Sequence, residues 1–90
     1  MTYPPGYAEE RIQILSAVCR AADSYAEIAG IIATSANEDV ALAALRERLG
    51  TTEPGARAVL EMQFRRLMPG HRERLRSELE EWRSQVERDR

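Results

Sequence analysis

The chain has 90 residues, so it forms one domain at most, and a chain of this size buries little core for its surface. Apolar residues make up 43% and charged residues 31%, a balance that excludes a disordered polymer and is typical of a folded, strongly helical protein. The net charge of −2 argues against a general nucleic-acid binder, although residues 57–76 hold six arginines and two glutamates.

The first residues, 1–7, are predicted to form an irregular leader, because Pro4, Pro5 and Gly6 do not nucleate a helix. From residue 8 to residue 33, apolar side chains recur at alternating steps of three and four, which predicts one long helix with a narrow seam. The seam consists of Leu15, Val18, Ala22, Tyr25, Ala29 and Ile32. Further apolar residues widen this stripe, so we expect the helix to contact more than one neighbour: Ile12, Cys19, Ile28 and Ile31.

A first short helix is predicted over residues 37–49. Ser35 and Glu38 have the spacing of a capping box at its start, and Asn37 is a second candidate for the cap. Gly50 is expected to end this helix, because glycine readily adopts the left-handed conformation that follows a helix.

A second short helix is predicted over residues 52–68, with Thr52 as its cap. It contains the apolar decapeptide AVLEMQFRRL at residues 58–67. Pro69 and Gly70 are expected to stop it, because proline removes a helical hydrogen bond and glycine weakens a helix.

The last predicted helix, over residues 70–88, has a seam of Leu75, Leu79, Trp82 and Val86, which Met68 extends. The sequence therefore predicts an all-α fold. Its two long helices pair as an antiparallel coiled-coil hairpin, and the two short helices form a knob at one end.

Two ungapped stretches carry a resemblance to a known family. Residues 11–35 read RIQILSAVCRAADSYAEIAGIIATS, and residues 45–67 read LRERLGTTEPGARAVLEMQFRRL. Both resemble the A subunit of bacterial DNA gyrase and of its topoisomerase IV relatives, and the resemblance extends from Arg11 to about Trp82. In the second stretch and just after it, the matching residues are Glu47, Arg48, Gly50, Glu53, Ala56, Ala58, Leu60, Met62, Arg66, Leu67, Arg72 and Glu73.

The resemblance implies a place at the tip of the family's coiled coil. Two subunits of those enzymes meet there through apolar helix faces and form the exit gate, or C-gate, which opens to release the transported DNA segment. Carried over to this sequence, it implies a dimer interface of Val59, Leu60, Met62, Gln63, Phe64, Leu67 and Met68. The partner is then a second copy of the chain, with a gyrase or topoisomerase IV A subunit as a further candidate.

Some positions depart from the family pattern. Met68 and Pro69 stand where a threonine and a glycine are usual, and His71 stands near a usual glutamate. We therefore expect the last helix to start differently, with Pro69 as its first residue and Met68 as a poor cap. Gly55 occupies a site that commonly carries glutamine.

The family cleaves DNA with a tyrosine of a winged-helix domain, aided by an arginine and a metal-binding partner subunit. None of those segments has a counterpart in this sequence, and Tyr3, Tyr7 and Tyr25 are expected to be non-catalytic. We therefore predict a protein that is not an enzyme, with no catalytic, cofactor-binding or metal-binding residues. We expect it to be free-standing, with a piece of a longer protein as the open alternative.

Two other functions stay open. Four arginines are candidate contacts to phosphate or to a partner's carboxylates: Arg57, Arg65, Arg66 and Arg72. The alternative function is a small DNA-associated helical protein that uses the basic region of residues 57–76, these four together with Arg74 and Arg76, and the acidic balance disfavours it. A helical enzyme resembling chorismate mutase is a remote alternative, because the long helix carries only Arg11 and Arg20.

The histidine and the cysteine of the sequence are not expected to take part in catalysis or metal binding. His71 follows Pro-Gly at a helix start and is expected to be a polar surface residue. Cys19 is the only cysteine, so it forms no internal disulfide and is expected to pack in the core of a protein from a reducing, cytoplasmic compartment. The sequence has no apolar run of the ~20 residues that span a membrane and no signal peptide, so neither a membrane nor a small-molecule substrate is predicted.

Overall fold

The computed structural model describes residues 3–89 and contains no β-strand in that range, so the all-α fold class is confirmed. Its helices are α1 (Tyr7–Asp23), α2 (Tyr25–Thr34), α3 (Glu38–Leu49), α4 (Glu53–Leu60) and α5 (Pro69–Arg88), with a short 3₁₀ turn at Phe64–Leu67. Residues 1 and 2 of the predicted leader lie outside the described residues. Within residues 3–89 no helix combines the length and hydropathy that crossing a lipid bilayer requires.

The two outer helices, α1 and α5, run antiparallel. Tyr7 at the start of α1 lies beside Trp82 near the end of α5, with ring centroids 5.5 Å apart, and the Tyr3 ring stacks on Tyr7 at 4.9 Å. At the other end, Asp23 forms an ion pair with Arg72 near the start of α5. The apolar stripes of both helices are buried between these ends, at Leu15, Val18, Ala22, Leu75 and Leu79. That this pairing is a coiled coil stays a prediction.

The single long helix predicted over residues 8–33 is two helices, and that prediction is wrong at Ser24. Ser24 has φ −128° and ψ 37°, outside the helical region, and its N–H donates to the carbonyls of both Arg20 and Ala21 at 3.2 Å. Aspartate and serine favour such breaks, because their side chains compete for backbone hydrogen bonds. The apolar period continues through the break, so it does not reveal it. Tyr25 and Ala29, which that period places in the seam, are exposed.

The junction between α2 and α3 corrects the predicted capping box. Ser35 belongs to the end of α2, because its hydroxyl donates to the carbonyl of Ile31 at 2.7 Å. The cap of α3 is Asn37, whose side-chain oxygen accepts from the N–H of Val40 at 3.0 Å. Gly50 follows α3 in the left-handed conformation, with φ 60°, as predicted.

The second short helix is shorter than predicted. Thr52 caps α4 by accepting from the N–H of Gly55 at 3.3 Å, but α4 ends at Leu60 rather than at residue 68. Its buried face holds Ala56 and Val59, and steps of four and three from Val59 reach Gln63 and Arg66. A longer helix would turn these polar side chains toward the core, which is unfavourable. The chain instead passes into the 3₁₀ turn, and α5 starts at Pro69 as expected, with no side-chain cap from Met68.

The core lies where α1 packs against α4 and α5, with α3 covering α4. Its buried members are mostly small or aliphatic: Leu15, Ala17, Val18, Ala21, Ile28, Leu42, Leu45, Leu49, Ala56, Val59, Leu75 and Leu79. Small side chains let α4 approach α1 closely, and Gly55 belongs to this contact. A Cβ atom at Gly55 would lie 3.3 Å from Cβ of Ala17 and only 2.1 Å from Oγ1 of Thr51.

We predict that Gly55→Ala destabilises the chain by about 1–3 kcal/mol, the range for overpacking in a close-packed interior. The matched control is Gly30→Ala in α2, where a Cβ meets nothing within 4 Å. That change should stabilise by up to about 1 kcal/mol, because alanine is the better helix former. Urea unfolding followed by circular dichroism measures both.

A Thr51→Ala background tests the cause of the Gly55 penalty. Removing Oγ1 takes away the closest contact, so the Gly55→Ala penalty should shrink there, leaving only the contacts with Ala17 and Cβ of residue 51. Equal stabilisation by Gly55→Ala and Gly30→Ala in the parent chain would contradict the packing argument.

Candidate functional site

An apolar groove lies between α2 and the chain that follows α4. Its volume is about 420 Å³. One wall comes from α2 and the other from residues 59–67; the lining side chains are Tyr25, Ile28, Ala29, Ile32, Ala33, Val59, Leu60, Met62, Phe64 and Leu67. We call this surface the apolar groove. It forms where α2, which begins after the break at Ser24, packs against α3 and faces residues 59–67.

The rim of the apolar groove carries large apolar side chains in contact with water. Phe64 is 83% exposed, and Tyr25 is 56% exposed. Met68, just beyond the 3₁₀ turn, is 59% exposed. Exposed aromatic side chains beside an apolar groove are typical of protein–protein contact sites.

The structure divides the predicted interface set. Phe64, Met68 and Gln63 are exposed, while Leu60, Met62 and Leu67 are partly buried along the groove. Val59 also lines the groove but is only 3% exposed and packs in the core, and its part in a contact surface stays a prediction.

Sequence reasoning missed the wall of the groove that α2 provides. Tyr25, Ala29, Ile32 and Ala33 are absent from the predicted interface, because the apolar spacing places Tyr25, Ala29 and Ile32 in the hairpin seam. The signal that could have revealed this wall is the Asp23-Ser24 pair, which marks the end of α1.

Two of the four predicted phosphate contacts are engaged within the chain. Arg57 forms ion pairs with Glu38 and Glu53, both at 3.2 Å. Arg72 binds Asp23 at 2.5 Å. Their charges are partly balanced within the chain, and their use as phosphate contacts stays a prediction. Arg76, also in that region, shares Asp23 at 2.9 Å.

Arg65 and Arg66 are exposed, and no side chain within residues 3–89 forms an ion pair or hydrogen bond with them. They face a second concave surface of about 300 Å³ at the start of α5, which we call the basic pocket. Its lining is Arg65, Arg66, His71, Arg74, Leu75 and Glu78. Partial desolvation and then the charges of Arg74, Arg65 and Arg66 lower the pKa of His71, which favours the neutral imidazole.

The remaining candidates for chemistry are used in packing. Desolvation and then the charge of Asp23 raise the pKa of Cys19, so its thiol is protonated and unreactive. Arg11 is paired with Glu78 at 3.1 Å, and Arg20 donates to the carbonyl of Leu49 at 2.8 Å. Both arginines that the chorismate-mutase-like alternative would use to bind a substrate are therefore engaged within the chain.

Comparison with known proteins tests the expected resemblance. No protein-family profile matches the chain. The DNA gyrase A subunit of Mycoplasma pneumoniae is 42% identical over 79 residues, which cover 88% of this chain and 9% of that protein. The chain is similar to one segment of the DNA gyrase A subunit. The corresponding protein of Mycobacterium tuberculosis strain H37Rv is 38% identical over 78 residues, with 87% and 9% coverage.

A third relative, the gyrase A subunit of Deinococcus deserti, is 35% identical over 80 residues, covering 89% of this chain and 10% of that protein. The resemblance expected from the sequence is thereby confirmed, and it applies to a segment only. The chain spans about a tenth of the length of these curated relatives. The apolar groove and the basic pocket are thus features of a gyrase A-like segment.

We predict that Asp23→Asn destabilises this gyrase A-like segment at pH 7 by up to about 1 kcal/mol, the scale of solvent-exposed ion pairs. The hydrogen bond from Arg72 is the first cause that lowers the pKa of Asp23, and Arg76 adds to it. The contribution is therefore present above the usual carboxyl pKa and is lost as the pH falls through the lowered pKa. Urea unfolding at pH 7 and at acid pH should show the two proteins converging on acidification.

The control for Asp23 is Glu80→Gln, which removes a carboxylate paired with Arg83 on one face of α5. This pair of helical neighbours should contribute only about 0.2–0.5 kcal/mol. An Asp23→Asn variant as stable as the parent at every pH would show that the junction of α1 and α5 does not depend on this ion pair.

Proposed function

We propose that this chain is a non-catalytic dimerisation module of the exit-gate type found in type IIA topoisomerases. Two copies would meet through the apolar groove, and the observation that carries the proposal is Phe64, 83% exposed on the rim of that groove. Burying apolar surface contributes about 25 cal/mol per Å². A partner that buries this exposed aromatic ring and the apolar groove beside it therefore gains a large favourable free energy of binding.

The groove suits a two-fold symmetric contact. In such a contact the same surface is used by both copies, so it must offer a projecting group and a place to receive one. Phe64 is the projecting group, and the groove between α2 and residues 59–67 could receive the Phe64 of a second copy. Both features lie on one surface. The small core supports the same proposal, because pairing gives a short chain more buried surface.

The resemblance to the gyrase A subunit supports this choice of contact, because two subunits of that family meet through apolar helix faces at the exit gate. We propose the same use for Leu60, Met62, Gln63, Phe64, Leu67 and Met68 here, together with the α2 wall. The tyrosines support a non-catalytic role, because Tyr3 and Tyr7 pack against Trp82 and Tyr25 lines the groove.

A sharper form of the proposal names a second partner. An A subunit of gyrase or topoisomerase IV carries a related gate face, and this chain would bind it in place of a second copy. Such binding would alter supercoiling. A reducing, cytoplasmic compartment belongs to the proposal, because Cys19 is the only cysteine of the chain.

We predict that the chain sediments as a dimer at micromolar concentration and that Phe64→Ser shifts it to monomer, because the ring is the largest apolar group exposed at the groove. The matched control is Val40→Ser, which removes an exposed apolar side chain of α3 that does not line the groove. Sedimentation equilibrium measures both variants. A monomeric parent chain, or equal effects of the two substitutions, would contradict the proposed interface.

We predict that the parent chain, mixed with a purified gyrase A subunit of the same organism, forms a one-to-one complex that Phe64→Ser abolishes and Val40→Ser preserves. Mass photometry and a plasmid supercoiling assay would give the stoichiometry and the effect on activity. Homodimers of the chain beside unaltered gyrase would sink the sharper form and leave the homodimer intact.

A further inference from the structure

Unbalanced positive charge collects at the start of α5. Within residues 3–89, four arginines take part in neither an ion pair nor a side-chain hydrogen bond: Arg46, Arg65, Arg66 and Arg74. Arg46 lies in the last turn of α3, where the helix dipole stabilises a positive charge. The other three line the basic pocket, where no comparable stabilisation exists.

The start of α5 adds to this positive potential. Pro69 is its first residue, and the preceding Met68 provides no side-chain cap. The amide groups of the first turn therefore have no side-chain acceptor, and the positive end of the helix dipole lies beside the arginines. An anion in the pocket would interact with both.

Acidic groups near the pocket do not cancel the charge of the three arginines. Glu78 lines the pocket, but Arg11 of α1 is paired with it at 3.1 Å. His71 is the other titratable group there and is surrounded by arginines of the 3₁₀ turn and of α5. The pocket thus keeps the charge of Arg65, Arg66 and Arg74 unbalanced.

The basic surface is also longer than one pocket. Arg65 and Arg66 also line a neighbouring cavity of about 450 Å³, whose other lining residues are Arg11, Gln63, the acidic Glu61 and six apolar side chains. Because both cavities are open and share this pair of arginines, the positive charge is presented over a surface wider than one small ion, which a polymer of anions could contact.

We infer that the basic pocket binds phosphate groups of a nucleic-acid backbone, with Arg65, Arg66 and Arg74 as the contacts. Guanidinium groups donate paired hydrogen bonds to phosphate oxygens. Each phosphodiester group carries one negative charge, which would balance the positive charge of one of these arginines. This site goes beyond the proposed dimer, because none of its charged residues lines the apolar groove. Because the chain as a whole has a net charge of −2, only this surface attracts a nucleic acid, and we expect the binding to be weak and salt-sensitive.

Fluorescence anisotropy with a labelled DNA duplex tests the inference. Three phosphate contacts give a slope of log affinity against log salt of about −2.7, so affinity should fall about 40-fold between 50 and 200 mM salt. Arg65→Gln, Arg66→Gln and Arg74→Gln should each make that slope shallower by about 0.9. The control is Arg83→Gln, which removes the same charge from α5 at an arginine already paired with Glu80.

Two further arms identify the anion. Inorganic phosphate and poly-glutamate replace the duplex, and the ring resonances of His71 report occupancy, because an anion in the pocket raises its pKa. The inference requires that the duplex shifts these resonances at concentrations where neither competitor does. Equal action of inorganic phosphate would assign a small-anion site, and equal action of poly-glutamate an acidic protein partner; either result overturns the nucleic-acid assignment.

Other outcomes also decide the question. Absent or salt-independent duplex binding would reject the site, and so would an Arg83→Gln effect as large as that of Arg66→Gln. Sedimentation of the same variants separates this inference from the dimer proposal. The arginine variants should keep the oligomeric state of the parent chain while their salt slope changes.

Discussion

The end of α1 at Asp23 and Ser24 determines the rest of the architecture. Ser24 leaves the helical region and its N–H binds the carbonyls of Arg20 and Ala21, while the Asp23 carboxylate binds Arg72 and Arg76 of α5. The non-helical dihedral angles of Ser24 end α1, and the ion pairs of Asp23 connect that end to the opposite helix. α2 is free to turn onto α3 as a result, and its apolar face becomes one wall of the groove instead of extending the helical hairpin.

The core explains why apolar surface is left over. Ala17, Ala21 and Ala56 are fully buried, and Gly55 completes the close approach of α4 to α1. Small residues bring helix backbones together but bury little apolar area per residue. Larger apolar groups such as Phe64 and Met68 thus lie outside the core of a single copy. Close packing of small residues between α1 and α4 is thus accompanied by large exposed apolar side chains at and beside the groove.

The sequence predicted those elements whose signals are local. The cap at Thr52, the left-handed Gly50 and the start of α5 at Pro69 follow from the residues at those positions. The antiparallel pairing of α1 and α5 follows from apolar side chains spaced at three and four. The resemblance to the gyrase A subunit is also readable, because it rests on long ungapped stretches.

The errors come from periodicity that continues where the helix does not. Ala29 and Ile32 keep the spacing of Leu15 and Val18 across the break, so the pattern alone cannot show that they face a different neighbour. The decapeptide at residues 58–67 misleads for the opposite reason. Its apolar content predicts one helix, but the positions that continue the buried face of α4 are polar. Ion pairing is also invisible, since partners such as Arg72 and Asp23 are far apart in sequence.

The segment between α4 and α5 connects the two candidate surfaces. In the 3₁₀ turn, Phe64 and Leu67 line the apolar groove while Arg65 and Arg66 line the basic pocket. A 3₁₀ turn has about three residues per turn, so the side chains of successive residues point in different directions and one short segment supplies both surfaces. A helix continuing through residue 68, as the sequence predicts, would have spread these side chains around a longer axis. The early end of α4 therefore places the apolar and the basic contacts side by side on one turn.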